Sequence, residues 1–114
     1  MKETILEKAE IAINELNQAA LLMHRQMKSG ELNKSIADKA IFRAQQKAKI
    51  CSNAYFSRKY DPTLDREREE FNRLNMADEV TIANERFGRV LKHFAKAVGA
   101  EFIPAKSQTT AKTQ

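Results

Sequence analysis

Ile5, Ala9, Ala12, Leu16, Ala19, Met23 and Met27 recur at alternating spacings of four and three. That period keeps all of them on one side of an α-helix and predicts a first helix over residues 4–28. Leu6, Ile13 and Ala20 widen the stripe to a bundle-facing surface. Thr4 with Glu7 three positions on has the form of a capping box, and Ser29-Gly30 ends the pattern. Such strict four-three spacing also resembles a coiled-coil seam, so a homodimer through helix 1 is expected.

A second stripe, Ile36, Ala40, Ala44, Ala48, Cys51 and Tyr55, predicts helix 2 running to about Lys59, with Ser35 to Asp38 as a short-chain cap. Asp61-Pro62 is a boundary, because proline disfavours helical geometry at the residue before it and suits the first turn of the next helix. From there Leu64, Phe71, Leu74, Ala77, Val80, Phe87, Val90, Phe94 and Val98 continue the pattern to Gly99, a plausible C-cap. The run reads as one long helix, with a cap at Asn75-Met-Ala-Asp78 as the alternative that divides it. Gly88 interrupts this helical pattern, and close approach of a neighbouring helix is the expected reason.

These elements predict an all-α fold, a small antiparallel bundle of three or four helices in a single domain over residues 1–103. The tail from 104 to 114 has no large apolar side chain and is expected to be mobile. Leu, Ile, Val and Phe make up only twenty-five of the 114 residues, so the core must be thin. Phe71, Phe87 and Phe94, with Ile5, Leu16 and Met23, are the side chains expected to fill it.

Composition removes several chemistries. Two histidines and one cysteine are too few for a Cys/His zinc site, and neither His24 nor His93 has an acid three residues before it, so the di-iron bundle unit is missing. The glycines stand alone at 30, 88 and 99, which excludes the glycine-rich phosphate loops. The acids of DREREEF, residues 65–71, alternate with arginines near a helix start and read as a solvated face. Ser52 and Ser57 have no histidine in local reach. No cofactor, no metal and no enzymatic activity are expected. Cys51 falls on an apolar stripe and reads as a buried, inert thiol. The longest apolar run, AALLM at 19–23, is far too short to span a bilayer, and the first residues have no secretory pattern, so a cytoplasmic protein without a membrane partner is expected.

Charge is distributed unevenly. The chain carries a net +5, and residues 39–60, KAIFRAQQKAKICSNAYFSRKY, hold six Lys or Arg and no Asp or Glu. Lys39, Arg43 and Lys47 are spaced by four along one helix face, and Arg58 and Lys59 extend the charge past Tyr55 and Phe56. Arg86 and Arg89, with His93 and Lys96, form a second strip. Such strips can follow a phosphate backbone through counterion release, with exposed rings available for stacking. The expected partner is therefore nucleic acid bound without sequence preference, since no base-reading element accompanies the charge. The alternative is a helical interaction module whose basic face meets an acidic protein. Tyr55 itself is expected to lie in the core.

Overall fold

The computed structural model describes residues 3–99, which form four helices: α1 (Ile5–Ser29), α2 (Lys34–Tyr55), α3 (Pro62–Arg73) and α4 (Met76–Ala97). The expected tail at 104–114 and the domain end at 103 lie outside the described residues. Among those that are described, the fold is an all-helical bundle.

Helix α1 is the central element. Thr4 caps it as expected, its Oγ1 accepting from the Glu7 amide at 3.1 Å while Glu7 accepts from the Thr4 amide at 2.8 Å. Gly30 ends the helix in left-handed geometry, φ 82°, where glycine avoids the Cβ penalty. The stripe Ile5, Ala9, Ala12, Leu16, Ala19 and Met23 is buried within the single chain. The seam that suggested a homodimer through helix 1 is thus already covered by the chain's own helices.

Two apolar clusters fix the directions of the others. Leu16, Ala19 and Met23 pack with Ala37, Ile41 and Ala44 of α2 and with Ala83, Phe87 and Phe94 of α4. Ile5, Ala9 and Ala12 pack with Cys51 at the far end of α2 and with Phe71 of α3, flanked by Met76 and Val80 at the start of α4. Helix α2 therefore runs antiparallel to α1, and α4 returns antiparallel to α2. The short α3 lies beside the first turns of α1. All six side chains expected in the core, Ile5, Leu16, Met23, Phe71, Phe87 and Phe94, are buried.

Helix α2 differs from its expected form in three ways. Its cap is Asn33, whose Oδ1 accepts from the Ile36 amide, not Ser35. Its core face starts at Ala37 and Ile41, whereas Ile36, one position earlier, is 51% exposed. It ends at Tyr55, short of Lys59, because Arg68 of α3 reaches across and donates to the Tyr55 carbonyl at 2.8 Å and the Ser57 carbonyl at 2.6 Å. Those bonds satisfy carbonyls that a longer helix would have used internally.

The long third helix is also divided. Asn75 adopts left-handed geometry, φ 55°, a conformation Asn tolerates better than most side chains, and separates α3 from α4. A straight helix from 62 to 97 would be about 54 Å long and would overrun the roughly 37 Å of α1. The break lets Phe71 serve one cluster while Phe87 and Phe94 serve the other. Leu74 and Ala77, expected on the apolar stripe, are exposed beside it. Gly88 makes no close approach either: a Cβ there would meet nothing within 4 Å. Glycine is tolerated at that turn, not required.

Candidate nucleic-acid interface

Lys39, Arg43 and Lys47 lie on the flank of α2 that borders α1, about 6 Å apart along the helix axis. Lys39 and Arg43 are exposed and Lys47 is half-buried. The stretch free of acids in sequence is not free of them in space. Arg43 Nε lies 3.2 Å from Glu15 Oε2, on the adjacent flank of α1. One of the three cations is thus partly neutralised, by a pair too exposed to add much stability.

Arg58 and Lys59 belong to the loop between α2 and α3, and both are exposed. On either side of them stand two rings, Phe56 at 72% and Tyr60 at 86% exposure. Two adjacent cations are thus flanked by two aromatic faces within five residues. Arg68 braces the start of this loop through the carbonyls of Tyr55 and Ser57 and is itself held by Asp65 at 3.2 Å. The Ser57 hydroxyl accepts from the Lys59 amide at 3.3 Å. Lys59 also borders a cavity of about 530 Å³ whose rim includes Glu3, Asp61 and Glu67, so its field is tempered by acids.

Tyr55, expected in the core, is half-buried and packs against the edge of the second cluster. Its ring stands edge-on to Phe56 at 5.0 Å and tilted against Phe71 at 4.9 Å, and its hydroxyl meets Asn72 Oδ1 at 3.0 Å. It anchors Phe56 and leaves that ring's outer face open. Cys51 is buried beneath this layer. Burial raises its thiol pKa above the ordinary 9.0, with the charge of Lys8 partly offsetting the shift.

Arg86 and Arg89 do not join this surface. Arg86 Nη1 donates to Asn17 Oδ1 at 2.9 Å, and Arg89 is exposed one turn further along α4. Glu15 and Asn17 are two residues apart, about 200° around α1, so the arginines they receive come from opposite sides of it. The seven candidate residues therefore form two groups. Lys39, Arg43, Lys47, Arg58 and Lys59 follow α2 and its loop over roughly 24 Å. Arg86 lines the groove between α1 and α4, and Arg89 is exposed at its outer edge.

Sequence reasoning missed Tyr60 and Arg68. Tyr60 falls on no apolar stripe, and its place beside Asp61-Pro62 was its only signal. Arg68 was hidden among the charges of DREREEF. Among the described residues no three His, Cys, Asp or Glu side chains converge as a metal site, and no helix is long and apolar enough to cross a membrane. No family model, no curated protein and no solved structure matches the chain.

Proposed function

We propose that the protein is a non-enzymatic, cytoplasmic subunit that binds single-stranded nucleic acid without sequence preference, through the flank of α2 and the loop that follows it. The observation that carries this reading is the pair of exposed cations, Arg58 and Lys59, flanked by the exposed rings of Phe56 and Tyr60. Bases can stack on an open aromatic face at about 1–3 kcal/mol each, whichever base is presented. Neighbouring cations hold the phosphates and release counterions. Lys39, Arg43 and Lys47 extend the cationic track up the helix. An acidic protein would find the same charges here and can use exposed rings as anchors, so discrimination against an acidic polypeptide separates the two readings.

The test is fluorescence anisotropy with labelled oligo-dT and oligo-U across a salt series. Binding should be tight at low salt and fall steeply as salt rises. Phe56→Ala with Tyr60→Ala should weaken it at least about tenfold with little change in salt slope, since stacking releases no counterions. Equal affinity for polyglutamate, or no effect of the ring substitutions, would sink the reading.

A further inference from the structure

We propose that the groove between α1 and α4, on the other flank of α1, docks an acidic amphipathic helix of a partner protein. The groove has a volume of about 400 Å³ and is lined by Asn17, Ala20, Leu21, His24, Arg86 and Val90. Its apolar surface is aliphatic. Leu21 is 44% and Ile82 49% exposed, and Ile82, Arg86 and Val90 succeed one another at four-residue spacing on the same side of α4. The apolar positions extend over about 12 Å, two to three helical turns, which suits a helix offering anchors at i, i+4 and i+7.

Charge selects the sign of that helix. Arg86 lines the groove, helical spacing puts Lys28 one turn beyond His24 on the α1 side, and Arg89 stands at the outer edge of the α4 side; all three cations are exposed. Glu10 is two turns below Asn17 and Asp78 and Glu79 are in the first turn of α4, whereas Glu85, one turn before Arg89 on the same outer face, offsets Arg89 and leaves Arg86 and Lys28 as the cations that set the sign. Cations near a helix C-terminus complement the dipole, which accounts for Lys28 in the last turn of α1. Arg86 and Arg89 stand two to three turns before the end of α4 at Ala97, beyond the reach of that effect. Arg86 is moreover held in place by Asn17 at 2.9 Å, so its charge is presented at a fixed position on the rim.

Three other occupants fit less well. Nucleic acid would find no Phe, Tyr or Trp ring among the groove residues on which to stack, only the imidazole of His24. The chain's own segment 100–114 has one acid, Glu101, against Lys106 and Lys112. A second copy could offer the acids of α3, but the apolar face of that helix, at Phe71, is already buried in its own core.

The probe is a synthetic eighteen-residue peptide helix with leucines at i, i+4, i+7 and i+11 and glutamates flanking them, titrated into the isotope-labelled full chain and followed by amide chemical shifts. Shifts should concentrate on Ala20, Leu21, His24, Arg86 and Val90. Leu21→Glu and Arg86→Glu, both at exposed groove positions, should each weaken binding at least about tenfold with the free-protein spectrum otherwise intact. Phe56→Ala with Tyr60→Ala should leave peptide binding unchanged, so this test does not depend on the nucleic-acid reading. The proposal is overturned if the peptide leaves the groove signals in place at millimolar concentration, or if a peptide of the same composition in scrambled order binds as well. It is also overturned if oligo-dT shifts the same residues and displaces the peptide, if the groove signals move with protein concentration alone, or if deletion of 100–114 moves them.

Discussion

The carboxylate of Glu67 accepts a hydrogen bond from the backbone amide of Ile5 at 2.9 Å, so α3 closes the first turn of a helix sixty-two residues earlier in the chain. Free amides at a helix start carry partial positive charge, and the negative Glu67 satisfies both the donor and the dipole. The bond also pins α3 against the cluster containing Ile5 and Phe71. Glu67→Ala should therefore destabilise the fold by about 1–2 kcal/mol in urea denaturation, with Glu67→Gln losing less because its amide oxygen can still accept. No change in the midpoint for Glu67→Ala would mean that water serves the amide equally well.

Gly88→Ala should stabilise the protein by about 0.5–1 kcal/mol. Glycine in a helix interior loses more backbone freedom on folding than alanine, and here the new methyl group meets open space. Thermal unfolding decides the sign.

Asn75 sits at φ 55°, where a Cβ is strained. Asn75→Ala should cost about 1 kcal/mol, whereas Asn75→Gly should be close to neutral. If alanine is stabilising instead, α3 and α4 have fused into one helix, and helical content by circular dichroism would rise with it.

The buried Cys51 thiol should resist alkylation at pH 8 until the protein opens, so its reaction rate should follow unfolding free energy across a denaturant series. Its folded pKa is raised by burial, so the unfolded state releases the proton first. The stability that this contributes is complete below the unfolded pKa, near the ordinary 9.0, and is lost as pH rises through the folded value. Cys51→Ala should remove that part of the alkaline decline.

Glu15 restrains the basic track by pairing with Arg43. If the track binds phosphates, Glu15→Gln should raise affinity for oligo-dT and steepen its salt dependence. Arg43→Gln with Lys47→Gln should lower the slope of log affinity against log salt by up to about 1.8. An unchanged slope in the double variant would remove α2 from the interface and leave only the loop.

What the chain decides locally was legible from its residues. The stripe on α1, the Thr4–Glu7 cap, the stop at Gly30, the boundary at Asp61-Pro62 and the aromatic core positions all depend on side chains within a few turns of one another, and helical periodicity reports those directly. Helix α2 was harder because Ile36, Phe42 and Ile50 are apolar and yet face outward, so the stripe had no unique register until α1 packed against it. The division at Asn75 was open for the same reason, since both readings satisfy the local pattern and only the length of α1 favours two helices. The candidate surfaces depend on the fold most of all. Glu15 reaches Arg43 over twenty-eight residues, and Asn17 reaches Arg86 over sixty-nine. Electrostatic partners are set by distance in space, so the acid-free stretch 39–60 acquired Glu15 as a neighbour, and the strip at Arg86 and Arg89 fell on the other side of α1 once that helix lay between α2 and α4.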